Sequence, residues 1–523
     1  MSPQKSEHGD FQTPLELTRQ IVQLCQCWIQ TPEIILEPTC GTGNFIQACL
    51  ERYQTIEYII GYDIQPHHVF NTTELIQTYF ENHPKKPQPK IFLQAANLFT
   101  LDPTNLIPDK LKSKPMLVIG NPPWVTASEQ GLKSWKNLPP KSNFNQQRGW
   151  DAITGKSNFD IAEAILLYLF DALANYPATF CFIIKNSVIK RLVSWLAQTT
   201  WQIQFLGSYS IDTKRFFQVY TDASVFLCKT NATKSSNQCP VYLSLTSTQP
   251  TRYIGWVGNH FVADVHQYDS VSHLEGKSPL IWWQGIKHDC ARVLELYPLH
   301  EDWYQNKLGS KIQLEHDLVF GLIKTRDLKQ GGENTPTTCI LLPQFSLSEN
   351  PIHRLQSYPN ASRYLYDYQT VFSKRKSRIY LKKPPFSIFG IGSYAFAPYK
   401  IGLSGFHKEP RISFIPPWRE KPVMFDDTCY YLGFQHAYHA RFVWMLMLHP
   451  NVQQFLQSLA FQEGKRPYTK EILMRLDLKA LVTRVDSSTF DDWLQQVHKQ
   501  GNTLFSDFTW KDWKQCREEL FMV

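Results

Sequence analysis

Ile34-Ile35-Leu36-Glu37-Pro38-Thr39-Cys40-Gly41-Thr42-Gly43-Asn44-Phe45 decides how the first half of the chain folds. An apolar, β-branched run of strand length ends in an acidic residue, passes two closely spaced glycines and enters a helical pattern. Gly41 and Gly43 would let the backbone approach a bound ligand where any side chain would obstruct it. A lone Gly-x-Gly more often marks an ordinary tight turn, so the pattern around it has to decide.

On either side of that turn, short apolar runs alternate with longer helical ones across residues 33–229. Runs at 34–37, 58–63, 91–95, 116–120, 178–184, 201–208 and 223–229 read as seven strands, with helices at 15–29, 44–53, 66–80, 161–175 and 188–198. That order predicts an α/β domain over residues 1–230, built on a seven-stranded, mainly parallel sheet. Ligands bind such sheets beyond the carboxyl ends of the strands, which directs attention to the residues that follow each run.

Tyr62-Asp63-Ile64 closes the second strand. A carboxylate at that tip is placed to accept hydrogen bonds from both hydroxyls of a ribose, although it would also serve as a cap for the next helix. Together with the glycine turn it favours a cofactor that contains adenosine.

Ile119-Gly120-Asn121-Pro122-Pro123-Trp124 follows the fourth strand. Two consecutive prolines hold the backbone extended and remove two amide donors, leaving carbonyls as rigid outward acceptors. An aromatic exocyclic amine is a poor nucleophile because its lone pair is delocalised into the ring. If the Asn121 side-chain oxygen and the Pro122 carbonyl each accept one of its N–H bonds, the nitrogen is drawn towards tetrahedral geometry and its lone pair can be aimed at an activated methyl. Trp124 offers a flat face for the base.

These motifs together resemble the N6-adenine DNA methyltransferases of bacterial restriction-modification systems, in the class whose cofactor motifs precede the catalytic motif and whose target-recognition domain is C-terminal. The similarity extends to Gly9-Asp10-Phe11-Gln12-Thr13-Pro14, and to Phe216-Phe217 with Tyr220-Thr221-Asp222-Ala223-Ser224-Val225. The resemblance implies a Rossmann-like methyltransferase sheet and S-adenosylmethionine as cofactor. It implies that Thr13 and Glu37 contact the methionine end and Asp63 the ribose, with Pro38, Cys40, Gly41, Gly43, Ile64, Asn97, Leu98 and Asn121 completing the cofactor site. Trp124 and Phe217 would hold between them an adenine rotated out of double-stranded DNA. One position departs from the pattern. Where the family usually has an acidic residue for the cofactor's adenine amine, this chain has Asn97, and a neutral hydrogen bond contributes only about 0.5–1.5 kcal/mol, which implies weaker cofactor binding.

The second half of the chain has a different character. Residues 1–230 hold 20 Lys and Arg against 19 Asp and Glu, whereas the remainder holds 34 against 27 and so carries nearly all of the net charge of +8. Residues 231–300 read as a connecting segment and 301–523 as a mixed α+β target-recognition domain with helices at 435–459 and 470–481. Residues 368–408 contain no acid, while Lys374, Arg375, Lys376, Arg378, Lys382, Lys383, Lys400 and Lys408 alternate with nine Phe and Tyr. Cations for phosphates interleaved with rings suit a DNA-facing surface, with Lys374, Arg375, Lys376 and Arg378 its centre. This stretch, Asp426-Asp427-Thr428-Cys429-Tyr430 and Gly464-Lys465-Arg466-Pro467 also resemble the target-recognition domains of these enzymes. Residues 130–149, with Lys141 and Arg148, are expected to form a second DNA-contacting loop.

Several classes are excluded or set aside. The eleven cysteines include no Cys-x-x-Cys pair, which leaves buried thiols rather than a zinc or redox site. The absence of a basic-then-apolar leader and of a spanning apolar stretch predicts a cytoplasmic protein with no membrane partner. Thr154-Gly155-Lys156-Ser157 is not a phosphate-binding loop, because Gly149 stands one residue too far upstream. No metal-nuclease cluster is present, so any cleavage is expected from a separate restriction endonuclease. Protein-amide and RNA methyltransferases share the Asn-Pro-Pro-aromatic chemistry but would leave the residues beyond 229 unexplained. An inactive DNA-binding subunit is the alternative from another class, and the intact 121–124 and 41–43 motifs speak against it.

Overall fold

In the computed structural model of the protein, residues 11–125, 160–329, 334–499, 505 and 507–522 are described. The chain divides into two units, Met1–His266 and Gln267–Val523.

The first unit is built on one ten-stranded sheet. Its strands are β1 (Ile34–Glu37), β2 (Tyr58–Asp63), β3 (Lys90–Ala95), β4 (Met116–Gly120), β5 (Ala178–Lys185), β6 (Gln204–Ser210), β7 (Ala223–Lys229), β8 (Gln238–Tyr242), β9 (Arg252–Val257) and β10 (His260–Val262). They run in the order β10-β9-β8-β6-β7-β5-β4-β1-β2-β3. The five strands from β3 to β5 are mutually parallel, and β7 enters antiparallel between β5 and β6. All seven expected strands are present, in a Rossmann-like α/β sheet. Order reverses between β1 and β4, and the crevice of such a sheet lies at that switch point.

Helices cover both faces of the sheet. On one side lie α1 (Leu15–Gln26), α2 (Asn44–Arg52) and α3 (Pro66–Asn82). Leu17, Ile21, Val22 and Cys25 of α1 recur at helical spacing and are buried with Ile35, Ile59, Leu117, Ile119, Cys181 and Ile183 of the sheet. The alternate residues of β5 face the other way, where Phe170 of α4 (Ile161–Leu173) stacks on Phe180 at 4.5 Å. That side also carries α5 (Asn186–Leu196).

The domain boundary differs from the expected one. Residues 238–262, read as part of a connecting segment, extend the sheet: β8 pairs with β6, and Tyr209 and Tyr242 stack at 4.2 Å. Trp256 of β9 donates its indole N–H to the Ser194 carbonyl of α5 (3.0 Å), which ties the added strands to the first core. Gly258, at φ +55°, makes the turn between β9 and β10, and the Gly258-Asn259 pair was a hairpin signal available in the sequence.

The second unit holds a six-stranded and a four-stranded sheet. The first contains β12 (Glu295–Pro298), β13 (Trp303–Asn306), β14 (Lys311–Gln313), β15 (Val319–Ile323), β16 (Thr338–Leu341) and β19 (Met424–Phe425). The second contains β11 (Trp283–Gln284), β17 (Tyr399–Ser404), β18 (Ile412–Ile415) and β20 (Cys429–Phe434). The helix Ala437–Leu448 packs on the smaller sheet, with Trp444 donating to the Ile412 carbonyl at 3.2 Å. The single helix expected at 435–459 is two, because Pro450 cannot continue the first and instead opens the second, Pro450–Leu459. Among the described residues no helix is long and apolar enough to cross a membrane.

Candidate active site

The carboxyl ends of β1, β2 and β4 surround a cavity of about 410 Å³. Its wall includes Thr13, Glu37, Pro38, Cys40, Gly41, Asp63, Ile64, Asn97, Leu98, Asn121 and Pro123. The glycine turn, through Gly41, and the 121–124 tetrapeptide, through Asn121 and Pro123, therefore open onto one space although 80 residues separate Gly41 from Asn121.

The turn after β1 is held from two sides. Gly41 (φ +51°) and Gly43 (φ +81°) both adopt the left-handed conformation. A Cβ on Gly41 would stand 2.5 Å from Gln12 Oε1. Asp63 Oδ2 accepts the Gly41 N–H at 2.9 Å, while Oδ1 accepts the Gln65 N–H at 2.9 Å and lies 3.2 Å from His68 Nδ1. Three of the roughly four acceptor positions of this carboxylate are thus filled within the protein. One acceptor position of Asp63 is left open.

Residues 11–13 line the cavity and touch both the glycine turn and Asn121. Gln12 Oε1 accepts the Thr42 N–H and hydroxyl, both at 3.0 Å. The Asn121 side-chain N–H2 donates to the Phe11 carbonyl (3.0 Å) and to Thr13 Oγ1 (3.2 Å). These two acceptors fix which end of the Asn121 amide is which. Asn121 Oδ1 is consequently left buried without a partner, and so are Glu37 Oε2 and Thr39 Oγ1 on the same wall. Buried orphans are costly, and three of them on residues of one cavity wall fit a place shaped for a ligand. Burial raises the Glu37 carboxyl well above the ordinary range, and the charge of Asp63 raises it further.

Trp124 is 7 % exposed and donates its indole N–H to the Ile183 carbonyl of β5 at 3.3 Å. Trp124 and Phe217 do come together, but not as two faces with a gap between them. Their rings meet edge to face at 5.2 Å, with Phe11 at 5.6 Å from Trp124 and 6.1 Å from Phe217. A flat group placed between Trp124 and Phe217 would have to part this aromatic cluster. Pro122 is buried, and among the described residues no hydrogen bond ends on its carbonyl.

Asn97 lines the cavity, but its Oδ1 accepts the Phe99 N–H at 3.1 Å and so already caps a turn. Phe11, Gln12, His68 and the α4 residues Ile161 and Ile165 line the cavity without having been singled out as site residues. Gln12 and Phe11 could have been found from the motif that contains Thr13; His68, in the first turn of α3, stands five positions after Asp63, and no motif marks it.

The cations of the acid-free run separate into two groups. Lys374, Lys376 and Arg378 are exposed, as are Lys382 and Lys383. Arg375, expected beside them, turns inward: its guanidinium donates to the Ser387 carbonyl at 2.6 Å and lies 3.7 Å from the Tyr380 ring centre. Lys400 is 1 % exposed and donates to the carbonyls of Ala397 (2.8 Å) and Val423 (2.7 Å). Burial pushes its ammonium down to about 7. Lys141, Arg148 and the segment Thr154-Gly155-Lys156-Ser157 lie outside the described residues.

The residues fit S-adenosylmethionine: a buried carboxyl at the β1 end for an ammonium, a carboxylate at the β2 tip for a ribose, Ile64 and Leu98 for an adenine, and a turn with no room for side chains. Strand order, glycine turn and cavity define a class I S-adenosylmethionine-dependent methyltransferase. No protein-family model matches the sequence. Over 481 residues the chain is 35% identical to M.NspV, a Type II methyltransferase of Nostoc sp., covering 91% of this chain and 97% of that protein. The chain belongs to the Type II methyltransferases. Among solved structures it is similar to the Type IIL restriction-modification enzyme MmeI in complex with DNA, at 11% identity and a TM-score of 0.53, covering 97% of this chain and 71% of that one, a likeness of fold. The expected fold, cofactor and restriction-modification family are borne out.

Proposed function

We propose that the protein methylates the exocyclic N6 amine of adenine in double-stranded DNA, as the modification enzyme of a restriction-modification system. The observation that carries this reading is the unpartnered, buried Asn121 Oδ1 in the wall of a cavity shared with the glycine turn. The Asn121 amide is pinned by its nitrogen, so its oxygen presents a preorganised acceptor, and the Pro122 carbonyl supplies the second. Two acceptors for two N–H bonds suit a primary aromatic amine and orient its lone pair without any covalent intermediate. S-adenosylmethionine supplies the electrophilic methyl group, with Glu37 and Thr13 at its methionine end, Asp63 at its ribose and Ile64, Asn97 and Leu98 around its adenine.

To reach this site the adenine leaves the duplex, at a cost of a few kcal/mol offset by stacking on the opened Trp124–Phe217–Phe11 cluster. Asn at position 121 favours adenine over cytosine N4, where Ser is more usual. Lys374, Lys376 and Arg378 are exposed for phosphate contacts, and Lys141 and Arg148 belong to a second contacting segment. Cleavage resides in a separate endonuclease. Incubation with labelled cofactor and duplex DNA, followed by nucleoside analysis, is expected to yield N6-methyladenine; label only in cytosine, RNA or protein would overturn the assignment.

A further inference from the structure

Lys185, the last residue of β5, makes two hydrogen bonds that the catalytic reading does not use. Its ammonium donates to the Trp124 carbonyl at 2.9 Å and to Asp160 Oδ2 at 2.8 Å. Trp124 is therefore held by β5 at two points, its carbonyl by Lys185 and its indole N–H by the Ile183 carbonyl. The other oxygen of Asp160 caps α4, accepting the Ala162 N–H at 3.1 Å, and the Ile161 N–H donates to the Val125 carbonyl at 3.0 Å. That first turn of α4 contributes Ile161 and Ile165 to the cavity wall. One ammonium thus joins the catalytic turn, the end of a central strand and a wall of the cavity.

A largely buried ion pair adds little stability over an apolar pair of the same size. What it adds is direction, because each N–H must point at its acceptor. Direction matters at this place. The Asn121 and Pro122 acceptors have to meet both hydrogens of a single nitrogen, and a misplacement of the turn by about 1 Å costs on the order of 10²-fold in rate.

We infer that Lys185 is a positioning residue for methyl transfer, which fixes the catalytic turn against β5 through the Trp124 carbonyl and is itself oriented by Asp160. The inference rests on the proposed role of residues 121–124. Lys185→Met is expected to lower kcat about 10- to 100-fold, while cofactor Kd measured by equilibrium binding shifts less than threefold. Lys185→Arg restores most of the turnover, since a guanidinium still reaches both acceptors. Asp160→Asn added to Lys185→Met lowers turnover by less than it does in the unaltered protein, because the two residues act as a unit. If Lys185→Met is insoluble, Lys185→Gln replaces it, with a fall in kcat again expected.

Turnover within threefold of the unaltered protein in a folded variant overturns the inference. So does a cofactor affinity that falls as far as kcat, which would make Lys185 a support of the fold. Nucleoside analysis of the same reactions keeps the two readings apart: a product other than N6-methyladenine overturns the substrate assignment, and the ratio of turnovers still judges Lys185.

Discussion

The cavity wall of the first unit and the Glu295 network of the second treat their buried polar groups in opposite ways. Around the cavity of the first, Glu37, Thr39 and Asn121 each leave a buried oxygen unpaired. In the network of the second, a deeply buried carboxylate is answered within the unit. Glu295 is 2 % exposed and accepts from Lys324 at 2.8 and 2.9 Å and from Lys307, with His288 at 3.5 Å. Lys400 and Arg375 end on backbone carbonyls. The contrast is one between these two places, since Tyr380, His407, Arg441, Gln462 and Trp513 of the second unit also hold a buried atom without a hydrogen bond; what sets the first place apart is that its three lie on residues of one cavity wall.

Removal of an unpaired group should abolish chemistry while leaving the fold, and Asn121 gives the largest expected effect. Asn121→Ala deletes the preorganised acceptor and is expected to lower methyl transfer by about 10²- to 10³-fold or more, the range typical of a lost preorganised hydrogen-bonding group in an active site. DNA affinity, measured by a gel or fluorescence shift, stays largely unchanged, since every phosphate-binding cation is kept. Turnover near that of the unaltered protein would end the proposed mechanism and with it this side of the comparison.

Glu295 tests the other side. Burial alone would raise its carboxyl, but hydrogen bonds from His288, Lys307 and Lys324 outweigh that and hold it well below the carboxylate range. A carboxyl whose folded value lies below its unfolded value of about 4.3 contributes stability that is fully present above that pH and lost as pH falls towards the folded value. Glu295→Gln leaves two lysines facing each other without their anion and is expected to cost about 3 kcal/mol at neutral pH. Denaturant titrations across pH should show the gap between the two proteins closing below about pH 4. A gap that stays constant down to about pH 2 would mean that the network is not what holds this part of the second unit.

Much of the first unit was legible in the sequence, and the reason is local. Ile34 to Phe45 and Ile119 to Trp124 combine strand periodicity with residues of restricted backbone, Gly41, Gly43, Pro122 and Pro123, so position and conformation follow from the same few letters. The hairpin of β9 and β10 was missed despite Gly258-Asn259 because its runs are short, and β9 becomes a strand by pairing with β8 on one side and β10 on the other. Gln12, His68 and Lys185 were missed as site residues for another reason: their roles are hydrogen bonds across 30, 5 and 61 positions, and no spacing rule reports those. In the second unit the run of cations at 374–400 was visible, but which of them face outward depends on where Tyr380, Ser387 and Val423 lie.

That division can be measured. Lys374→Glu, Lys376→Glu and Arg378→Glu together are expected to weaken DNA binding at least about tenfold near 0.1 M salt, and to flatten the log–log salt dependence by about 0.9 for each phosphate that is no longer neutralised. Cofactor affinity is unaffected. An unchanged affinity and slope would remove this surface from the interface and leave the net charge of the second unit without its proposed role.

Arg375 provides the smallest and most discriminating effect, because it sits between those three in sequence and apart from them in structure. Its guanidinium reaches the Ser387 carbonyl at 2.6 Å and stacks over Tyr380. Arg375→Met keeps a long apolar stem, removes the hydrogen bonds to the Ser387, Phe372 and His288 carbonyls and the cation–ring contacts with Tyr380 and Phe372, and is expected to cost about 1–3 kcal/mol in stability. Its salt slope for DNA should match that of the unaltered protein, in contrast to any one of its exposed neighbours. A slope flattened by about 0.9 would show that the guanidinium leaves Ser387 for phosphate when DNA binds, and burial in the free protein would then be a poor guide to which cations of this run the nucleic acid uses.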